Sequence, residues 1–554
     1  MSDLTKLPQA GAPCTPAGVT DQQGKDAFEV RFGTATKDAV PTGTVVHPTS
    51  TDLASFPDGL ATFTKALQHD AMGLPLAGGL DQFLKACGVK GGGPVGDFEN
   101  AGITMGSPGQ GFGQFNGPHG AFALQLVGKD SAGFGAPVVP KPPALDSIEY
   151  AIELVELYWA SLLRDVPFGE YSTNATAQAA AAELSSLSAT YPGSYAGPTD
   201  VAGKVTPDLL FRGGFNGKPK WFEGEIAGPY LSQFCLQPTA LGRIPFDQKI
   251  KALAAGVDFM TAFDEWLRVQ NGSPPMGIAT FANAPHYMHC GRDTASYTQA
   301  DELYQAYLIA YLVCSSVGIK ANPKSPYLNA LMKNEKAFGT FGGPDITATI
   351  GAVARAAINA VWYQKWRVHL RHRPEAGGGI VHLLKNHLLN ATDTAKLANF
   401  DIVLNSVALK LSELRNGGSV LLSQAFPEGS PTHPAYPTGH GAVAGACITV
   451  LKFFLDGDQV IAPTVQPSAD GTILEPYTGA ALTVNGELHK LAHNVSFGHG
   501  IHAGIHWRSD TDYSITLGEA VAIAYLEDQM WTYDEDFAIK IKKVDGNHHT
   551  FKNH

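Results

Sequence analysis

The sequence predicts a mainly α fold, a large helical bundle with few short strands. Three observations carry this expectation. Long stretches repeat apolar residues near a 3.6-residue period, and very few segments alternate as strands do. The chain is 44% hydrophobic and 16% charged, which describes a big interior rather than disorder. No linker or internal repeat is evident in the 554 residues, so 61–554 are read as one helical domain and 1–60 as an N-terminal arm.

In chain order, residues 1–60 are rich in Pro, Gly, Thr and Asp, with one apolar alternation in Phe28-Glu29-Val30-Arg31-Phe32. They read as an extended arm laid over the body or over a partner subunit, the latter pointing to a homo-oligomer; a free tail is the alternative. Short helices are expected at 61–68 and 80–87. Glycine and proline dominate 91–143, including Gly91-Gly92-Gly93, and no strand precedes them and no Lys-Ser/Thr ending follows. That excludes a nucleotide-type phosphate loop and leaves ordered coil. The first strong helix spans 146–163, where Ile148, Ala151, Ile152 and Val155 keep the period and Asp146 stands as the cap. Further helices are expected over 175–187, 246–269, 299–317, 345–370, 392–414, 440–454, 489–506 with a break at its glycines, and 515–530. A terminal hairpin pairs 537–544 with 549–551.

Composition removes several functions. Lys and Arg total 39 against 51 Asp and Glu, a net charge of −12, which argues against nucleic acid or an anionic membrane as the main partner. Any anion site must be local. Six cysteines (Cys14, Cys87, Cys235, Cys290, Cys314, Cys447) form no CxxC pair, so neither a zinc module nor a disulfide framework is suggested. Met1-Ser2-Asp3-Leu4-Thr5-Lys6 lacks the pattern of a signal peptide and no long uncharged apolar run follows. The expectation is a soluble protein, with the cytoplasm favoured and other export routes left open.

Chemistry concentrates between 365 and 510. Thr432-His433-Pro434-Ala435-Tyr436-Pro437-Thr438-Gly439-His440 reads as a loop turning into a helix, whose N-terminal N–H groups suit an anion. Downstream, Gly498-His499-Gly500-Ile501-His502-Ala503-Gly504-Ile505-His506 leads to Asp510. His506 and Asp510 are four apart, on one face if helical, where the carboxylate orients the imidazole. Upstream, Lys365 to Arg373-Pro374 supplies positive charge, and a residue before proline is pushed out of helix, which sets Arg373 at a boundary. Each signal has a bland reading: an exposed basic helix end, or histidines that merely hydrogen-bond in the core. Their conjunction describes a tetrahedral oxyanion site with two working histidines.

These motifs, at 365–374, 433–440 and 499–510, resemble those of the vanadium-dependent haloperoxidases, and a related signature is shared by the phosphatidic-acid-phosphatase and acid-phosphatase superfamily. The order Lys…Arg-Pro, Pro-Ser-Gly-His, Gly-Val-His-x-x-x-Asp is kept, with Thr438 where the family has serine. Seven residues separate Lys365 from Arg373, and His433 stands five before Thr438, both as in the bromide-oxidising branch. Asp301-Glu302-Leu303-Tyr304-Gln305-Ala306-Tyr307 is also similar to the family. The resemblance implies a helical bundle of the haloperoxidase and acid-phosphatase type, vanadate as cofactor, and hydrogen peroxide, bromide or iodide and a small organic acceptor as partners. It implies His506 as the axial vanadium ligand and Asp510 as its supporting carboxylate. Lys365, Arg373, Thr438 and the Gly439 N–H would hold the equatorial oxygens, His440 would act as acid–base group, and His433 would shape the halide side. Asp293 is taken as the partner of His440. The family's second arginine lies six residues before the ligand histidine, and here that position is Gly500. His499 or His502 is expected to substitute; the alternative is that both only pack or face solvent. Two rival functions stay open at this point, a phosphatase with His506 as nucleophile and a divalent-metal binder built from His499, His502, His506 and Asp510.

Overall fold

A computed structural model describes residues 45–553 apart from 94, 110, 111, 215–221 and 331, together with 29 and 33. Most of the expected arm, including the alternation at 28–32, lies outside the described residues. From 45 onward the chain lies against the body: Asp52–Ser55 is one helical turn, and the Asp52 carboxylate accepts the Leu145 N–H.

Mainly helical architecture is what the described chain shows. The first helices are α1 (Ala77–Ala86), α2 (Ile148–Leu163) and α3 (Ala175–Thr190). Then come α4 (Phe263–Gln270), α5 (Gly291–Gln299), α6 (Gln305–Ser316) and α7 (Gly343–Tyr363). The C-terminal half adds α8 (Pro374–Lys385), α9 (Val407–Arg415), α10 (Gly439–Phe454), α11 (Val484–Phe497) and α12 (Arg508–Gln529). Three antiparallel pairs accompany them: β1–β2 (Thr239–Leu241, Ile244–Phe246), β3–β4 (Val465–Pro467, Leu474–Pro476) and the terminal β5–β6 (Ala538–Lys542, His548–Lys552).

Every residue of α10 is buried, so this helix is the axis of the bundle. It packs against α12, α7 and α11. Close approach needs glycine: a Cβ at Gly445 would sit 2.0 Å from the Ile515 carbonyl oxygen, and one at Gly518 would sit 1.9 Å from that of Ala442. The apolar core is continuous from α2 through α7, α10, α11 and α12, and each fully buried large side chain contributes roughly 1.5–3 kcal/mol.

Several expectations were corrected by local chemistry. The 61–68 stretch is not helical, because Thr62 bridges Arg371, Phe63 donates to the Leu370 carbonyl and Ala66 has φ 75°. Only the end of 246–269 is helix, since Gln248 and Met260 adopt positive φ and the segment bridges to 281, 286 and 424 instead. Ser147, not Asp146, caps α2 by accepting the Tyr150 N–H. The 392–414 helix breaks into pieces, of which Ser406 caps α9. No helix among the described residues is long and apolar enough to cross a membrane.

Candidate active site

Three connections between helices converge on the N-terminus of α10. After α7 the chain makes a wide π-type turn, Gln364–His369, which buries Lys365 and is ended by Leu370 at φ 49°. It then runs extended to Arg373, the N-cap of α8 with Pro374 behind it, as a residue before proline must. A second wide turn, Gly498–His502, follows α11, and Gly504 at φ 84° then redirects the chain to His506, just ahead of α12. Single wide turns of this kind re-aim side chains at functional sites.

The His506–Asp510 contact forms, though not on a helix face. Asp510 lies in the first turn of α12, where its Oδ2 accepts both the Trp507 N–H at 3.0 Å and the His506 Nδ1–H at 2.9 Å. Helix capping therefore aims the carboxylate. Arg371 donates to Asp510 Oδ1 at 2.8 Å and pairs with Glu153 at 3.2 Å. With its Nδ1 proton committed, His506 presents the lone pair of Nε2, which lies 2.8 Å from a nitrogen of the Arg373 guanidinium. Arg373 also donates to the carbonyls of His433 and Ile505 and to His433 Nδ1 at 2.9 Å. Lys365 Nζ reaches the carbonyls of Pro434 and Ala435.

Among the described residues no carboxylate is within ion-pair distance of Lys365 or Arg373, although both are buried. Burial and the neighbouring Arg373 hold Lys365 well below its ordinary pKa. Burial brings Arg373 down to about 10. The imidazoles of His433, His499 and His506 are likewise pushed well below their ordinary value, first by burial and then by the surrounding positive charge. A bound anion would relieve all of these at once. Thr438, the N-cap of α10, does not use its hydroxyl to cap, and that buried Oγ1 has no partner among the described residues. Gly439 opens the first turn of α10, whose N–H groups lack intrahelical acceptors. An unpartnered hydroxyl, a helix N-terminus, unmatched cations and an imidazole lone pair that only a guanidinium meets all fit a tetrahedral oxyanion.

Of the two histidines expected to replace the missing arginine, the structure brings in one. The His499 ring stacks on His440 with centroids 3.7 Å apart and lies 5.7 Å from the His506 ring. His502 points the other way, into an aromatic nest where its Nε2 meets the Tyr230 hydroxyl at 3.0 Å. The wide turn separates them. It also prevents the proposed cluster of His499, His502, His506 and Asp510, which does not assemble as a metal site. A Cβ at Gly500 would press on the His506 Cβ at 3.0 Å, so a side chain there would crowd His506.

Asp293 is not the partner of His440. It lies in the first turn of α5 against His286 and His289, at 3.0 and 2.7 Å. The group facing His440 is Asp301, whose carboxylate oxygens stand 3.1 and 3.2 Å from Nε2. Asp301 lies just past the C-terminus of α5 and sits in the family-like stretch 301–307, a signal that could have found it. Arg371 and Glu153, which fix Asp510 from behind, had no motif to reveal them. The Trp362 ring lies tilted against that of His433, with centroids 4.7 Å apart. A cleft of about 420 Å³ opens onto His499 and Thr432, and is flanked by Phe115, Phe426 and Glu428. A larger cleft of about 810 Å³ shares no residue with this site; Tyr230, Arg212 and His289 line it.

A buried seat for an oxyanion at the axis of a helical bundle defines the class of protein, and comparison with known proteins narrows it. A family model described as the VCPO second helical-bundle domain matches residues 346–533. The vanadium-dependent bromoperoxidase of Ascophyllum nodosum is 34% identical over 540 residues, covering 95% of this chain and 92% of its own. That of Corallina pilulifera is 32% identical over 461 residues, 74% of this chain and 75% of its own. The solved homohexameric structure of the second vanadate-dependent bromoperoxidase of Ascophyllum nodosum superposes with a TM-score of 0.84 at 28% identity, covering all of this chain and 94% of that one. The chain belongs to the vanadium-dependent haloperoxidases.

Proposed function

We propose that this enzyme uses vanadate to oxidise bromide or iodide with hydrogen peroxide, yielding a hypohalous species that halogenates small organic acceptors. The observation that carries the reading is the buried pair Lys365 and Arg373, unmatched by any carboxylate among the described residues, converging on the unprotonated Nε2 of His506. His506 is assigned as the metal ligand, held in one tautomer by Asp510. Lys365, Arg373, the Gly439 N–H and the Thr438 hydroxyl would hold the oxygens of the bound vanadate, with His499 in the seat of the missing arginine. Bound vanadate supplies an electrophilic centre that turns hydrogen peroxide into an oxidant for halide.

This chain's own groups do the rest. The cations withdraw electron density from the bound oxygens and stabilise negative charge there, in a pocket that excludes water. His440, braced by Asp301, accepts or returns the peroxide proton. His433 and Trp362 form the wall assigned to the halide side. Bromide and iodide are preferred to chloride by analogy with the relatives, whose names record bromide oxidation. The same relatives do not favour the phosphatase alternative. A homo-oligomer is supported by the homohexameric relative.

The direct test is bromide-dependent halogenation of a dye by hydrogen peroxide, on metal-stripped protein before and after orthovanadate is added, with phosphate as competitor. Activity should appear with vanadate and fall with phosphate. Folded protein that stays inactive at every halide while cleaving a phosphoester would overturn the reading. For His499, vanadate affinity by equilibrium dialysis should weaken in His499→Ala and recover in His499→Arg.

A further inference from the structure

His286, His289 and Asp293 stand apart from the oxyanion site, and the proposed function gives them no role. They lie where the strand-like segment ahead of α5 enters the helix. His286 Nε2 is 3.0 Å from Asp293 Oδ1, and His289 Nδ1 is 2.7 Å from Asp293 Oδ2. The three ligand-type atoms all fall within 4.8 Å of one another, while the edge of a zinc tetrahedron with bonds near 2.05 Å is about 3.3 Å. Small side-chain rotations bring the atoms to that spacing.

We infer that His286, His289 and Asp293 bind one divalent transition-metal ion of the zinc type, with solvent completing the coordination. Four features of the cluster support this. Two imidazoles and one carboxylate form a ligand set that suits zinc and its neighbours rather than calcium or magnesium. Two of the ligands are already fixed from behind: Asp293 Oδ2 also accepts the His289 N–H at 3.0 Å, as a residue in the first turn of a helix does. His286 Nε2 donates to Asp293 in the ion-free protein, and its Nδ1 faces the Ala284 carbonyl at 3.3 Å, so an ion that displaces the Nε2 proton leaves the other proton held on Nδ1 and the Nε2 lone pair turned to the metal. Access is present as well, because the imidazole side chains keep 15% and 16% exposure and His289 opens onto the 810 Å³ cleft. Asp293, by contrast, is only 4% exposed, which suits an anchoring carboxylate.

Around the cluster, the loop at 468–472 closes one side. The Tyr287 N–H donates to the Gly471 carbonyl, and a Cβ at Gly471, which has φ 67°, would reach within 2.7 Å of His289 Nδ1. That position tolerates only glycine if the ring is to keep its place. Asp470 lies near enough to His286 to add negative charge. The site sits at the N-terminal end of α5, whose last turn offers the Thr298 carbonyl to His499 and whose continuation carries Asp301. An ion here would brace the helix that supports the acid–base pair.

Zinc titration of the full-length protein, stripped of metal and followed by calorimetry, tests this. Wild type should bind one zinc ion per chain. His286→Ala and His289→Ala should each weaken that binding at least about tenfold, the cost typical of losing one of three protein ligands. Zinc should also raise the melting temperature of wild type and not of His286→Ala. His286 is partly exposed and outside the regular helices, so that variant keeps the fold; circular dichroism checks it. Because His440, His499 and His506 are intact in these variants, zinc held at the oxyanion site would be unaffected. No stoichiometric zinc in wild type, or equally tight binding by the His286→Ala His289→Ala double variant, would overturn the proposal and leave a hydrogen-bonded brace.

Discussion

Buried cations in this molecule come in two kinds. Arg371, Arg508, Arg164 and Lys65 each meet a carboxylate: Glu153 and Asp510, Glu156, Asp258 and Glu375 respectively. Lys365 and Arg373, a few residues from Arg371 and equally buried, meet only carbonyls and imidazole nitrogens. Histidines divide in the same way. His493 lies between Glu225 at 3.1 Å and Asp512 at 3.6 Å, and its pKa is raised to about 9 despite burial. His433, His499 and His506 are held low, first by burial and then by the cationic groups around them. Lys452 and Arg212 are also buried against carbonyls or an imidazole, each by itself; what marks the place for an anion is two such cations converging on the N-terminus of α10 and the unpartnered Thr438 hydroxyl.

That contrast can be broken at several points. His506→Ala removes the proposed ligand, and vanadate affinity in dialysis should fall by at least about 10³-fold, the scale of losing a metal–ligand bond. Arg371→Met strands the carboxylates of Glu153 and Asp510, so urea unfolding should show a loss of about 3–5 kcal/mol, with or without vanadate. His493 supplies stability that is fully present below its unfolded pKa of 6.5 and is lost as pH rises through about 9. The amount is of the order of 3 kcal/mol, and His493→Gln should remove that part of the pH dependence in the same window. Lys365→Met sharpens the comparison from the other side. Its vanadate affinity should drop about 10–100-fold, while the vanadate-free protein loses less than about 2 kcal/mol, since relief of an unmatched charge offsets the lost hydrogen bonds. Asp301→Asn should give the smallest effect, about a tenfold fall in kcat with a displaced pH profile and nearly unchanged vanadate affinity.

Periodicity located most long helices because their apolar faces build the core, and the helices at 148–163, 343–363 and 439–454 were legible in that way. It failed at 246–269, where amphipathic spacing survives in a chain that bridges to distant segments. The site was legible wherever chemistry is local in sequence. Arg373 before Pro374 and Thr438-Gly439-His440 at a helix start are of that kind; Arg373 does stand at a helix boundary, though as the N-cap of α8, which periodicity did not predict, and not at the end of the preceding helix. Partners chosen by tertiary packing were not. Asp293 and Asp301 are both acids near the right helix, and only the fold decides which end of α5 faces His440. His502 was placed beside His506 by assuming a regular helix, whereas the wide turn at 498–502 sends it to Tyr230.

Those wide turns have a consequence for how such sites drift over generations. A turn that takes in an extra residue is slack in a ruler: it absorbs an insertion locally while α11 and α12 stay seated against α10. Counting back six from His506 lands on Gly500, yet the side chain delivered to the pocket is that of His499, one step further. In this chain, then, the count through the turn decides which side chain lines the pocket, and a fixed offset from His506 does not. Searches that demand fixed spacing will pass over such chains, and patterns written with one elastic position between 498 and 502 will retrieve them.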